Sequence, residues 1–593
     1  MMLPSGTFPT TAHDVDLCVV GGGMAGLTAA LAAARCGATV ALMHDRPVLG
    51  GNASSECRVH ICGADRHNSI PNLRETGILE ELRMENLRHN PNRSFSLWDT
   101  VLHEACRRED HLTPLLNCSC LDAAMAGGRI ESVTGWQLTT QTVHTVRAKL
   151  FADCSGDAVL APLTGATARI GREARSEYGE PSAPAEADTL TMGMSLLFQT
   201  RRYETPQPYE PPDWAYRFDR CEDIPYGASG HRYWGMGYWW VELGGEQDTI
   251  GETEAIRDEL LRIAYGVWDH IKNRCDAQRA AAANWALEWM QFLPAKRESR
   301  RYVGAHVLTQ NDILAEGRFD DLVAYGGWAM DDHPPVGFWG AKRGAAAPSA
   351  VFHEAPSPYG IPYRSLYSKD VPNLLFAGRC HSASHMAMSS TRVMGTGCSM
   401  GQAVGTAAAM AARLGVDAAG VLDHVDELQQ ALLADDCYLP WVAQRFAPVT
   451  TGARLEASAG EAECLRDGTN RPVGDDTHAW RHGPGDEVTL RFASPARVRR
   501  VSLVLDSALH KDPQMSYHLP PGRQLTAPPD EMPRRFTVEV LRGGQWELLR
   551  EVDDNHHRLL RVPIGEEVEA VRYRLGATWG PCDGTNLYAM YVD

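Results

Sequence analysis

The sequence has no apolar run long enough to span a bilayer: the best stretches, residues 17–26 and 27–34, are short and interrupted by glycine. Residues 1–13 lack the basic start and continuous apolar region of a secretory leader, and the first apolar run reads better as a strand. A cytoplasmic protein without a membrane partner is the expectation. The fifteen cysteines include no C-x-x-C pair, only Cys118-x-Cys120, so neither a disulfide framework nor a thiolate zinc site is suggested, and no metal is expected. Positive charge is also short. The 57 Lys plus Arg against 75 Asp plus Glu leave a net charge of −18, which repels nucleic acid and anionic lipid.

What is present is an ordinary globular composition, 44% apolar and 22% charged over 593 residues. At roughly 150 residues per domain this allows two to four domains. Residues 16–20 read as a buried strand running into Gly21-Gly-Gly23-Met24-Ala25-Gly26 and an Ala-rich helix over residues 27–35. In this G-x-G-x-x-G, Gly21 permits the tight turn, Gly23 lets the backbone approach a pyrophosphate, and Gly26 brings the helix close to the strand. Cys36-Gly37 closes the helix, and residues 38–43 supply a second strand. The acidic residue that usually ends this strand is replaced by His44-Asp45-Arg46. His44 or Asp45 is therefore the candidate for the adenosine ribose, with a turn-capping Asp45 as the competing role.

A second glycine pair, Gly50-Gly51, leads into Asn52, Ser54 and Ser55, where a cofactor longer than NAD would continue past its pyrophosphate. A flavin fits that extension. Residues 150–157 read as a strand followed by Ser155-Gly156-Asp157, suited to a second phosphate and ribityl contact, and Cys120 joins the candidates for the same cofactor. Residues 374–379 form another strand, ending in Gly378-Arg379. Gly395-Thr396-Gly397 then opens a small-residue helix whose N-terminal amides would face the flavin pyrimidine.

These segments, with residues 45–56, 171–177, 188–193, 265–273, 296–301, 308–312, 325–328, 333–335 and 389–394, resemble the FAD-dependent oxidoreductase family related to fumarate reductase flavoproteins and glutathione-reductase-like enzymes. The resemblance covers residues 14–440 and implies bound FAD and redox chemistry on a polar metabolite or sugar-like small molecule. His44, Ala158 after Asp157, and Cys57 depart from the pattern: similar proteins carry an acidic residue, glycine and an aliphatic residue there.

The expected architecture is α/β: a Rossmann-like FAD-binding part over residues 14–170 and 346–440, an inserted α+β substrate domain over residues 171–345, and a β-sandwich over residues 450–593. The insertion carries Trp234, Trp239 and Trp240, as core or as a wall above the flavin. In the tail, short alternating strands at residues 487–492, 498–505, 536–541 and 546–551 and the turn Arg542-Gly-Gly-Gln545 signal hairpins. The tail loosely resembles galactose-binding-like modules. A sugar site, packing on the FAD part and a homo-oligomer interface are all open for it.

Hydride transfer from an alcohol or amine carbon requires a group that takes the heteroatom proton. His385, in His381-Ser-Ala-Ser-His385 near Arg392, is the first choice, with His333 second; Arg392 would stabilise an oxyanion or reduced flavin. Glu56, Arg58 and His60 alternate like a strand and would share one face toward the substrate. Arg300, within the charge run at residues 296–301, and Trp328 complete the substrate candidates, and Cys57, Cys62, Cys380 or a histidine offers a covalent tether to FAD. Two other readings stand beside a dehydrogenase or oxidase. One is a reductase of an activated alkene, the other a carbohydrate-binding protein with a non-catalytic cofactor part.

Overall fold

The computed structural model describes residues 8–225, 231, 234, 241–343, 350–516 and 524–593. The first strand is longer than its apolar core suggests. β1 (Thr10–Val20) is followed by α1 (Met24–Arg35) and β2 (Val40–Met43), and the charge-rich excursion folds as α2 (Ile78–His89) and α3 (Phe95–Arg107). β3 (Leu112–Leu115), β4 (Cys118–Ala126), β5 (Arg129–Gln137) and β6 (Thr142–Asp153) complete the first half of the sheet. Its order is β3-β2-β1-β6-β5-β4, parallel from β3 to β6 and antiparallel through β5 and β4. Leu374–Phe376 returns from far along the chain to pair in parallel with the end of β6.

Close packing of two helices holds this half together. α1 crosses the helix Met394–Leu414, where Thr28 Oγ1 donates to Cys398 O at 3.0 Å. A Cβ on Gly401 or Gly405 would approach Ala25 O or Ala29 O to 2.1 Å, so the crossing depends on both glycines.

Between the halves lies mixed structure. Met194–Ser195 pairs with Glu242–Leu243 and Ala295–Lys296, and Phe198–Arg202 pairs with Trp285–Met290. The amphipathic helix Thr253–Asp269 covers this part with Ile256, Leu260, Ile263, Val267 and Trp268 in one apolar core. Trp234 belongs to that core, against Trp268 and Trp285. Trp239 and Trp240 lie outside the described residues.

Carboxyl-terminal to these elements, two long strands, Glu487–Leu505 and Leu559–Thr578, pair with each other and bend; the first joins two of the expected short strands, and the second was not expected. On one side of the bend they join Arg454–Ala457, Pro533–Arg542 and Gln545–Val552; on the other they join Thr585–Val592 and Trp480–His482. Val488, Leu490, Val538 and Tyr573 from the first layer share a core with Val501, Leu503, Val562 and Met590 from the second, which makes the tail a β-sandwich. Its hairpin Arg542–Gln545 turns on Gly543 and Gly544, both with positive φ.

The sandwich is docked on the preceding part by buried ions. Arg74, paired with Glu80 at 2.6 Å, also donates to the carbonyls of Ser507, Ala508 and Lys511. Arg558 is paired with Asp436 at 2.9 Å, and Arg471 donates to Arg74 O and to Thr76 Oγ1. Such arginines are costly to leave unpaired, so this contact fixes the tail in place.

Candidate functional site

A cavity of about 650 Å³ opens at the first strand-to-helix turn. The three motif glycines there do different work. Gly21, at φ +103°, could not carry a Cβ without approaching the Cys154 and Ser155 backbone to 2.5 Å, and a Cβ on Gly26 would lie 1.8 Å from Gly21 O. A Cβ on Gly23 meets nothing within 4 Å, and Gly23 lines the cavity. Two glycines are thus required by the fold and one keeps the cavity open beside the N-terminus of α1, where an anion is favoured. The second glycine pair is stacked on the first: Gly50 N–H donates to Gly22 O at 2.8 Å, and a Cβ on Gly51 would lie 3.1 Å from Gly23 Cα.

Most of the expected cofactor residues line this one cavity. Beside Gly21 and Gly23 stand Met24, Ala25, Asp45, Arg46, Gly50, Gly51 and Asn52. From the later segments come Cys120, Ser155, Gly156, Asp157, Gly378, Arg379 and Gly397. Asp157 is held by Lys296 Nζ at 2.7 Å and Arg379 Nη2 at 3.2 Å; burial opposes its charge, but these cations outweigh burial and keep its pKa below the usual range. Ala158 has φ +50°, a left-handed backbone that glycine would adopt more readily.

Some expectations need correction. His44 lines the cavity, but both its ring nitrogens are committed: Gly22 N–H donates to Nδ1 and Nε2 donates to Val48 O, each at 3.0 Å. Burial lowers its pKa, in keeping with a neutral ring that braces the glycine loop. Asp45, beside it, also lines the cavity. Gly26, Ser54, Ser55, Gly395 and Thr396 do not line the cavity. Ser54 Oγ donates to Gly51 O, Ser55 N–H to Asp99, Gly395 N–H to Cys62 O, and Thr396 Oγ1 to Glu75. These residues shape the loop and the helix start from behind.

The rest of the cavity has a polar end set among apolar residues such as Leu293, Pro294, Val393 and Met394. Glu242, Arg297, Asp331, His333 and Arg392 line it together with Trp328, His60, Cys62 and His67. His333 Nδ1 is 2.9 Å from Glu242 and Nε2 3.3 Å from Asp331. Arg297 pairs with Glu242 at 2.6 Å and Arg392 with Asp331 at 3.1 Å. Burial opposes both carboxylates, yet Arg297 and His333 hold Glu242 below the usual range, and His333 and Arg392 hold Asp331 well below it. Arg297 Nη1, Arg392 Nε and Trp328 Nε1 are buried with no hydrogen-bond partner among the described residues.

His385 and His381 do not line the cavity. His385 lies behind it, 2% exposed, with Nδ1 at 2.9 Å from Glu298 and Nε2 at 3.2 Å from Asp332. Burial works against its charge, but Glu298 and Asp332 outweigh burial and raise its pKa to about 10. Asp331 and Asp332 are neighbours on the strand Met330–Asp332, so their side chains leave on opposite faces, one toward each histidine. His381 donates from Nδ1 to Gly378 O at 2.8 Å and accepts from Thr391 at Nε2, and burial lowers its pKa to about 4.

The substrate candidates divide as well. Residues 55–57 form a turn and 58–60 no regular element, and Arg58 has φ +55°, which breaks the expected alternation. Glu56 and His60 reach the cavity, but Glu56 is paired with Arg46 at 2.6 Å. Arg58 lies elsewhere, its guanidinium 4.3 Å from the Trp289 ring centroid. Arg300 does not line the cavity, whereas Lys296 and Arg297 do. Of the tether candidates Cys62 lines the cavity, while the Cys57 and Cys380 thiols face Leu293 O and Asp153 O.

A family model described as FAD dependent oxidoreductase matches residues 16–432, more than half of the chain. The chain belongs to the FAD-dependent oxidoreductases. No curated protein matches it. Among solved structures, it is similar to a geranylgeranyl bacteriochlorophyll reductase-like protein from Thermoplasma acidophilum at 12% identity and TM-score 0.30, over 72% of this chain and 83% of that one. It is also similar to the family 32 carbohydrate-binding module from Streptococcus pneumoniae EndoD at 15% identity and TM-score 0.19, over 24% of this chain and 97% of the module. Neither likeness bears on the substrate.

Residues that fit FAD line this cavity: a turn kept clear at Gly23, an ionised Asp157 between two cations, and a helix start at Met394 and Gly397. What sequence reasoning missed in this oxidoreductase is the partner set of His333. Glu242 ends an irregular aromatic stretch and Arg297 hides inside a charge run, so neither carries a local signal. The reach of the sandwich to this end of the cavity was missed too. Gln514, from the segment between its long strands, sits 3.1 Å from His67 Nδ1, and Pro513, Gln514 and Met515 wall a smaller cavity against His60.

Proposed function

We propose that this FAD-dependent oxidoreductase oxidises an oxygen-rich polar small molecule, a hydroxy acid or sugar-like alcohol, at the polar end of the cavity. Bound FAD supplies a two-electron acceptor that takes hydride at N5. The residues that would hold it are the Gly21–Gly23 turn, Gly50 to Asn52, Asp45, residues 155–157, and Gly378, Arg379 and Gly397. We assign this cofactor part to residues 14–170 and 346–440, and the cover over the ring to residues 171–345.

One observation carries the substrate class. The guanidinium groups of Arg297 and Arg392 line the polar end together with His333. A ligand rich in oxygen atoms accepts hydrogen bonds from such charged donors, worth about 1.5–3 kcal/mol each, and a hydrocarbon does not. His333 is the proton acceptor in this reading. Glu242 accepts from Nδ1–H, so Nε2 takes the hydroxyl proton once the ligand comes between it and Asp331, which stays paired with Arg392, and the ionised Glu242 and Asp331 stabilise the imidazolium that forms. His385 is a positioning residue that holds Asp332 and Glu298 behind the site.

The test is anaerobic bleaching of the purified yellow holoenzyme by hydroxy acids, sugars, sugar acids, polyols, amino acids and plain alkanols. Bleaching by an oxygen-rich alcohol is expected. Bleaching by amines or plain alkanols alone would overturn the substrate class. Turnover of activated alkenes by the dithionite-reduced protein, with no alcohol active, would reverse the direction.

A further inference from the structure

We propose that Cys221, His231, His270 and Cys275 bind a structural zinc ion inside the segment that covers the cavity. The four side chains come from three separate stretches, and their potential ligand atoms all lie within 4.8 Å of one another. Cys221 Sγ is 3.7 Å from Cys275 Sγ and 3.5 Å from His270 Nε2, and His231 Nδ1 is 3.4 Å from Cys275 Sγ. Zinc with Zn–S near 2.3 Å and Zn–N near 2.0–2.1 Å in a tetrahedron requires edges of about 3.8 Å between sulfurs and about 3.5 Å between sulfur and nitrogen. The observed separations have that size. A disulfide requires sulfurs at about 2.05 Å, far closer than these.

The surroundings fit a metal better than an accidental cluster. His231, His270 and Cys275 are buried, and Cys221 is partly so. His270 Nδ1 donates to Phe218 O at 2.8 Å, which fixes the tautomer that turns the Nε2 lone pair toward the sulfurs. The helix Thr253–Asp269 ends in a π-turn, His270–Arg274, closed by Cys275 N–H donating to His270 O at 2.7 Å. That wide turn brings His270 and Cys275 to one side, a use to which π-turns are often put at functional positions. Binding displaces the two thiol protons to solvent, and two thiolates with two neutral imidazoles cancel the charge of Zn²⁺ in an apolar interior.

None of the four residues lines the flavin cavity, and all four positions are filled by protein, which is the closed donor set of a structural ion. Its work is mechanical. Among the described residues of 203–225 the only regular element is the short turn Cys221–Asp223, and the metal would staple this arm to the end of the cavity-covering helix. The spacing explains why sequence reading found no zinc site: ligands at 221, 231, 270 and 275 contain no C-x-x-C or H-x₃-H pair.

The experiment is metal analysis of the holoenzyme purified without added metal, with X-ray absorption at the zinc edge. One zinc per chain, coordinated by two sulfur and two nitrogen donors, is expected. Cys221→Ser and Cys275→Ser should each retain less than about a tenth of it, while Cys62→Ser retains it all. Absence of zinc, a Cys221–Cys275 disulfide, a different donor set, or full zinc in Cys275→Ser would overturn the proposal. If the variants fail to fold, the donor set of the wild-type protein decides alone.

Discussion

His333 and His385 are built alike and placed differently. Each lies between two carboxylates, Glu242 and Asp331 for one, Glu298 and Asp332 for the other, but only His333 lines the cavity. A histidine's partners do not reveal its role; access does. A buried, doubly paired imidazolium holds segments together, whereas the same arrangement at a cavity wall can exchange a proton with a ligand.

The largest effect that would break this distinction is on rate. His333→Gln should slow anaerobic flavin reduction by roughly 10²–10⁴-fold while the protein stays yellow, the range of a lost general base. Equal slowing in His385→Gln would erase the difference between the two sites.

Stability should show the opposite order. His385→Gln removes the cation shared by the buried Glu298 and the half-buried Asp332, and breaking a buried pair such as His385–Glu298 costs about 3–5 kcal/mol, to be measured by chemical denaturation. Its pKa is raised from 6.5 to about 10, so its contribution is complete below pH 6.5 and is lost as pH climbs through about 10. The gap in Tm between wild type and His385→Gln should therefore narrow across that window.

The glycine motif sharpens the same contrast between cavity and core. Gly21→Ala should lower Tm, because its Cβ meets the Cys154 and Ser155 backbone. Gly23→Ala should leave the apoprotein as stable as wild type and weaken FAD retention, read by the visible absorbance after gel filtration. The smallest effect belongs to Arg58→Ala, which loses its stacking on Trp289, worth about 0.5–2 kcal/mol, with no change in reduction rate.

The same contrast decides what could be read from sequence. Gly21, Gly23, Gly50, Gly51, Gly156 and Gly378 were legible because a backbone that must turn tightly or approach a cofactor leaves few other choices, and these positions are local. The alternating strands of the tail were legible for the same reason, although two of them proved continuous through a bend. The polar end was not, because Glu242, Arg297, Asp331, His333 and Arg392 meet only through the fold of the inserted segment. Proximity along the chain between His385 and Gly395 says nothing about which side chains of the buried helix His385–Thr391 reach the cavity, and His385 does not line it. His44 misled for a related reason, since its ring is spent bracing Gly22.

The most direct test is a crystal structure of the anaerobic holoenzyme with an unreactive analogue of whichever alcohol bleaches it. The account predicts an analogue oxygen within about 3 Å of His333 Nε2 and others on Arg297 or Arg392. An analogue that touches none of these three residues would contradict it.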